Sequence, residues 1–184
     1  TLRAPGARPR FETTGGFLFT HRGYSGPAVL DISHLAVRSI LQGGDRQPLT
    51  IQWTPADRDG WEAILTGNEE AVGAGGGGSV RGALTRRLPT RLADRLLEEV
   101  GIPKQQRLSE LRREARRALV TALTAYPLPW TGDEGYAKAE VTGGGVDLAE
   151  IHPRTMESRR HPGLFLCGEI LDAFGPIGGH NFLW

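Results

Sequence analysis

The most regular hydrophobic text in the chain lies between residues 89 and 126. Leu92, Leu96, Leu97 and Val100 recur at helical spacing and stop at Gly101 and Pro103, which predicts a short helix over residues 89–100. A longer helix follows over residues 107–126, with Leu108, Leu111, Ala115, Leu119, Ala122 and Leu123 on one stripe that reads as core. Ser109, Glu110 and Glu114 place acceptors near its start. Upstream, Val29, Ile32, Ala36 and Ile40 predict a helix running to about Leu41, with Ser25 as its cap, Pro27 in its first turn and Gly43-Gly44 at its end. A shorter helix fits residues 57–65.

Period-two text is sparser. Leu49, Ile51 and Trp53 alternate as a strand that Pro55 closes. Residues 11–14 and 17–20 read as two short strands turned at Gly15-Gly16, after a loop over residues 1–10. Residues 136–142 read as a strand ending in Gly143, Gly144 and Gly145. Residues 164–167 differ, being a continuous apolar run between Gly163 and Gly168, the pattern of a parallel strand covered on both faces. Between these elements, residues 127–135 are turn-rich and residues 151–158 form a polar connection. Residues 73–79 (GAGGGGS) leave the backbone too much entropy to lose, so a mobile loop is expected there, native or an engineered linker. The run lacks the Gly-Lys-Ser/Thr that a phosphate-binding Walker loop requires.

Composition narrows the function classes. With 184 residues and 39% hydrophobic content the chain can bury a core as one domain or two small ones. Twenty-two Lys and Arg nearly cancel twenty-one Asp and Glu, so no net field argues for nucleic acid, an anionic membrane or an acidic partner. Arg112, Arg113, Arg116 and Arg117 line one side of the 107–126 helix, but glutamates dilute them and no aromatic interleaves them, so they read as a solvated face. The single cysteine, Cys167, reads as a small core residue of a reducing compartment. No run reaches the ~20 apolar residues of a membrane span, and there is no signal-peptide core, which predicts a cytoplasmic protein. The chain starts at Thr1 without an initiator methionine and ends just after a glycine turn that should open a helix, as expected of a piece of a longer protein.

Five scattered histidines give no metal-site spacing. A hydrolase assembled from Ser25, His21 or His180, and Asp172 lacks the Gly-x-Ser-x-Gly elbow. What remains is three glycine-marked loops at strand ends: residues 20–27, 142–146 and 168–181. In the last, Glu169 and Asp172 precede Gly175, Gly178 and Gly179, where a ligand could approach bare backbone. Spacing alone leaves a cofactor loop and an ordinary surface loop level.

Together the loops carry a resemblance. The stretches FLFTHRGYSGPAVL (17–30), GYAKAEVTGGGV (135–146), TMES (155–158) and GLFLCGEILDAFGPIGGHNFLW (163–184), in that order, are similar to the BaiN-like NAD(P)/FAD-dependent oxidoreductases, bacterial flavoproteins that include bile-acid reductase-like and aminoacetone oxidase-like proteins. Residues 43–87 match in general character only. The resemblance implies an α+β chain: a small β-barrel-like subdomain with a helical subdomain, plus the last strand and loop of a Rossmann-like FAD domain. It divides the chain into a β-rich part with one helix (1–55), a helical subdomain (56–126), a return to the β-rich part (127–158) and the closing strand and loop (159–184). The resemblance implies that the amino-terminal strand and helix whose Gly-x-Gly-x-x-Gly turn holds the FAD pyrophosphate lie outside these residues, so the missing N-terminal FAD-domain segment of the same protein is the expected partner.

The same resemblance implies site residues. Asp172 matches the acid beside the ribityl chain, a carboxylate suited to accept from hydroxyls. Gly178, Gly179 and Asn181 match the turn facing the flavin pyrimidine end, where backbone N–H groups favour the charge that reduction brings. Thr142, Gly144, Gly145, Gly168, Glu169, Gly175 and His180 complete the implied cofactor set. His21, Tyr24 and Ser25 are the substrate-side candidates, and no catalytic acid is assigned. Two positions depart from the family: His180 stands where tyrosine is more usual and Leu183 where glutamine is. The implied activity is FAD-dependent oxidoreduction of a small organic substrate with NAD(P)H as reductant, the 184 residues alone being inactive. The rival is a stand-alone protein-binding module that uses the arginine face.

Overall fold

In a computed structural model, the structure describes residues 1–7, 10–67 and 78–182. Of the glycine-rich stretch 73–79 only Gly78 and Ser79 fall among them, so the expected mobile loop otherwise lies outside the described residues, as does Leu183. The chain forms two compact units, residues 1–14 with 47–129 and residues 15–46 with 130–184. The whole is α+β, with small antiparallel sheets and five α-helices among the described residues. No helix among them is long and apolar enough to cross a membrane.

The first unit opens with β1 (Leu2–Arg3) and β2 (Glu12–Thr13), which pair with each other. Residues 11–14 therefore do not form the expected hairpin with residues 17–20, and the segment expected as a loop supplies β1. A four-stranded antiparallel sheet in the order β2-β1-β5-β6 is completed by β5 (Thr50–Ile51) and β6 (Tyr126–Pro127), with Leu2 opposite Ile51 and Ile51 opposite Tyr126. The side chain of Gln52 stitches its edge. It accepts from Arg3 Nη2 at 2.7 Å and donates to the Thr54 carbonyl at 2.9 Å, which is how a buried amide is kept satisfied.

Four helices pack beside this sheet. Their sequence signals match the ends observed: α2 (Arg58–Thr66) is capped by the Asp57 carboxylate, which accepts from Gly60 N at 2.9 Å, and stops at Gly67 with φ 79°. Then come α3 (Val80–Thr85), α4 (Thr90–Glu99) and α5 (Arg113–Thr124). Trp61, Leu84, Leu96, Leu97, Leu119 and Leu123 meet in the core, and the Trp61 indole N–H reaches Thr54 Oγ1 at 2.9 Å. The long helix expected over 107–126 is split, because Leu111 takes an extended conformation that turns its side chain into the core. A 3-10 turn (Leu108–Glu110) precedes it and α5 begins only at Arg113. The α3 helix is short and carries Gly82 in its middle, which hides its periodicity. Ser79 caps it, and Asp94 on α4 holds both Arg81 of α3 and Lys104, at 2.6 and 3.0 Å.

In the second unit β3 (Leu18–Phe19) turns through residues 20–23 to β4 (Tyr24–Ser25), closed by Thr20 N donating to the Gly23 carbonyl at 2.8 Å. The helix α1 (Pro27–Leu41) follows directly. Its cap is Gly26 and not Ser25, which is occupied in β4. At Gly26, φ is 99° and a Cβ would stand 2.6 Å from the Gly16 carbonyl oxygen, so only glycine fits. Ala28, Ile32 and Ala36 are the buried stripe, whereas Ile40, expected on it, is 41% exposed.

The rest of this unit is short turns and isolated bridges. Residues 136–142 contain a 3-10 turn (Tyr136–Lys138) and no strand, Tyr136 pointing to solvent. Residues 164–167 are not buried either: Phe165 bridges Glu157, yet Leu164 is 45% and Phe165 61% exposed, and Cys167 is exposed. A both-faces-covered pattern needs strands on either side, and the described residues supply one bridge.

Two outcomes test this description. Replacing Trp61 by alanine empties the centre of the helical core and should cost about 3–5 kcal/mol in denaturant titration. Asp94, held by the Arg81 and Lys104 hydrogen bonds, has its pKa lowered from 3.8 to about 2. A depressed carboxylate pKa contributes stability that is present above the unfolded value and lost as pH falls towards the folded one. The stability difference between wild type and Asp94→Asn should therefore shrink as pH is lowered from about 4 to about 2; a constant difference would contradict the pairing.

Candidate functional site

Two of the three glycine-marked loops come together. Val146 N donates to the Ile170 carbonyl at 2.8 Å and Asp172 N to the Val146 carbonyl at 2.9 Å, a one-residue parallel bridge between residues 142–146 and 168–172. The Asp172 carboxylate then reaches across, its Oδ1 accepting from Gly144 N at 3.0 Å. Gly145 makes the approach possible. Its φ is 145°, and a Cβ there would lie 2.5 Å from the Ile170 carbonyl oxygen.

Beyond Asp172 the chain is fastened to α1 by a stripe of side chains that sequence reading passed over. Asp31 Oδ1 accepts from Ile177 N at 2.6 Å. One turn on, His34 sets its ring edge against Phe174 at 5.1 Å, and Arg38 lies over the same ring at 5.9 Å with Nη2 3.7 Å from Asp172 Oδ1. Positions 31, 34 and 38 follow i, i+3, i+7 spacing beside the buried Ala28, Ile32 and Ala36. That spacing was readable in the sequence as a second, polar stripe. The partners on the far loop were not. Burial lowers the pKa of His34, which favours a neutral ring whose Nδ1–H donates to the Asp31 carbonyl at 2.8 Å.

The closing turn is braced from inside. Asn181 is 4% exposed; its Oδ1 accepts from Gly175 N at 2.6 Å and its Nδ2 donates to the Gly175 carbonyl at 3.0 Å. Gly178 and Gly179 have φ of 121° and 91°, and nothing stands within 4 Å of where their Cβ atoms would be. Gly144, with φ 93°, is open in the same sense. Thr142, Glu169 and His180 are exposed around them, and Gly168 has φ 77° at the head of a 3-10 turn (Gly168–Ile170). Gly144, Gly178 and Gly179 are thus open backbone, the Asp172 side chain is partly exposed, and Asp31 and Asn181 brace the loop that carries them.

The substrate-side candidates sit apart from this network. Tyr24 belongs to an aromatic trio with Phe17 and Phe19, at ring separations of 5.0 to 5.9 Å, and its burial raises the phenol pKa. Ser25 is paired in β4 opposite Leu18, and His21 is exposed in the hairpin turn beside Arg22, which pairs with Glu134 at 3.0 Å. Among the described residues none of the three bonds to the 142–181 loops.

Comparison with known proteins shows the class first. This is an α+β chain homologous to proteins named as a dihydrouridine synthase and a bile acid reductase. Residues 4–141 match the model of the HI0933-like protein barrel and H2TH domain, and the chain belongs to that family. It is 42% identical over 167 residues to the ribosomal RNA dihydrouridine synthase of Escherichia coli (strain K12), covering 91% of this chain and 38% of that protein. The Haemophilus influenzae enzyme of the same name is 34% identical over 172 residues, with 91% and 38% covered. A 3-dehydro-bile acid delta(4,6)-reductase of Clostridium scindens is 31% identical over 175 residues, with 94% and 42% covered. The chain thus spans about two fifths of the length of each relative.

Removing the Asp31 carboxylate should loosen the loop without unfolding the helix that carries it. With Asp31→Ala, the loss of a charged hydrogen bond worth about 1–2 kcal/mol should speed amide exchange at Ile177 by roughly 5–30-fold, while α1 amides change little. Unchanged exchange at Ile177 would show that the bond does not hold the loop.

Proposed function

We propose that these residues are the barrel, helical part and closing flavin loop of an FAD-dependent, NAD(P)H-linked oxidoreductase, and that its substrate is uridine within ribosomal RNA. The observation that carries the flavin reading is the joining of residues 142–146 to 168–172 through Gly144 and Asp172, with Gly144, Gly178 and Gly179 open beside it. A planar cofactor needs close backbone approach, and these glycines leave room for it. The RNA reading draws support from two relatives, at 42% and 34% identity, that are named for ribosomal RNA. It replaces the small organic substrate expected from the motifs; the bile-acid relative, at 31%, keeps that alternative in view.

In this reading Asp172 accepts from cofactor hydroxyls with the oxygen that Gly144 leaves free, and Arg38 offsets its charge. The N–H groups around Gly178 and Gly179 face the electron-rich end, Asn181 fixing the turn that presents them. Thr142, Gly145, Gly168, Glu169, Gly175 and His180 complete the proposed cofactor set. When bound, FAD supplies a hydride, drawn from NAD(P)H, and with one proton this saturates a carbon–carbon double bond of the substrate, as the word dihydrouridine requires. Tyr24, held protonated by burial, is suited to donate a hydrogen bond on the substrate side. The exposed Leu164 and Phe165 would be covered by the FAD-domain segment supplied from elsewhere in the protein.

The test uses the full-length protein. Asp172→Ala should weaken FAD at least about tenfold, or about 1.4 kcal/mol, in flavin fluorescence titration. The wild-type flavoprotein with NADPH should reduce uridine in unmodified ribosomal RNA, read by mass spectrometry as a gain of two hydrogens. A protein that takes up no flavin would overturn the first part. A flavoprotein that leaves RNA unchanged but reduces a conjugated steroid ketone would overturn the second.

A further inference from the structure

The helical part carries a charge that the whole chain hides. Residues 78–126 hold eleven Lys and Arg against five Asp and Glu, a net charge of +6, so the remaining residues sum to −5. Several of these cations are spent on internal pairs: Arg81 and Lys104 on Asp94, Arg95 on Glu98, and Arg116 on Glu62 at 2.8 Å. Arg113 and Arg117 are exposed, one turn apart on α5, and make no ion pair among the described residues. One turn further along, Thr121 accepts from the exposed Arg58 at 3.4 Å, which brings a third guanidinium, from α2, into line. The result is a row of three cations: Arg113 and Arg117 with Cβ atoms about 5–6 Å apart on one face of α5, and Arg58 beside the next turn at Thr121.

This row borders an open cavity of about 420 Å³ between α4 and α5. Arg117 belongs to both, and Ala118, Ala122, Val100, Pro127 and Tyr126 form an apolar floor. At its edge the Glu99 carboxylate accepts from the Tyr126 hydroxyl at 3.0 Å and retains lone pairs for other donors. A cationic rail beside an apolar, aromatic-edged dish is the pairing that an unstacked nucleotide requires: phosphates on the rail, base on the floor.

Resting on the RNA substrate reading, the geometry points to the α4–α5 face as an RNA-docking site, in which Arg58, Arg113 and Arg117 hold consecutive phosphates and one splayed base lies over Ala118, Ala122 and Tyr126. Charge complementarity selects the occupant. A neutral small molecule would use the floor and leave the rail idle.

Fluorescence anisotropy with a fluorescein-labelled oligouridylate and with an unmodified ribosomal RNA transcript, on the full-length protein, tests this. Arg58→Gln/Arg113→Gln/Arg117→Gln should weaken both at least tenfold at low salt and flatten the slope of log affinity against log salt by about 2, at roughly 0.7 per lost single-strand contact. Ala122→Gln, which fills the dish, should weaken binding with the slope unchanged. An unchanged thermal midpoint shows that each variant is folded, and Arg117→Glu alone serves should the triple variant fail that check. RNA binding that keeps its affinity and slope in the arginine variants, or polyglutamate that competes as well as RNA, overturns the proposal. Failure of the substrate reading looks different: arginine-dependent RNA binding persists while no uridine is reduced.

Discussion

Irregular backbone has to find partners for its N–H groups, and in the closing half of this chain carboxylate and amide side chains provide them. Asp172 accepts from Gly144, Asp31 from Ile177 and Asn181 from Gly175, each at 3.0 Å or less. With only isolated bridges in this region, these three acceptors set where the loops lie. Two of the three N–H groups, at Gly144 and Gly175, belong to glycines, where no Cβ stands beside the acceptor.

The two units rest on different physics. The first has a continuous apolar core around Trp61, with every helix contributing. The second exposes Leu18, Phe19, Ile40, Leu41, Tyr136, Leu148, Leu164, Phe165 and Ile170, all the large apolar side chains that stand exposed among the described residues.

The sequence was legible where a single element decides its own fate. The helix over residues 57–65, the leucines of α4 and the Pro27 start of α1 all act through local hydrogen bonds or one buried stripe, and each was readable. Whatever depended on a second segment was not. Strand pairing at residues 11–20 turned on which neighbour was available, and Leu111 left its helix because the core had a place for it. Residues 164–167 carry the pattern of a buried strand, and in the described residues nothing covers them: the pattern records an environment and not a local propensity. Among site residues, the glycines and Asp172 were visible as a motif. Asp31, His34 and Arg38 were not, because their partners lie well over a hundred residues away.

Charge shows the same limit in another form. Summed over 184 residues the charge is nearly neutral, and that sum says nothing of how the charges are distributed. Electrostatic attraction falls off within about 8–10 Å at physiological salt, so a polyanion responds to the surface it meets and not to the total. The fold then decides which arginines count. Arg116, which looked equivalent to Arg113 and Arg117, turns inward to Glu62, whereas Arg58, distant in sequence, joins the exposed row through Thr121. A one-dimensional reading sees four arginines diluted by glutamates; the folded surface sorts the same residues into internal struts and a cationic edge.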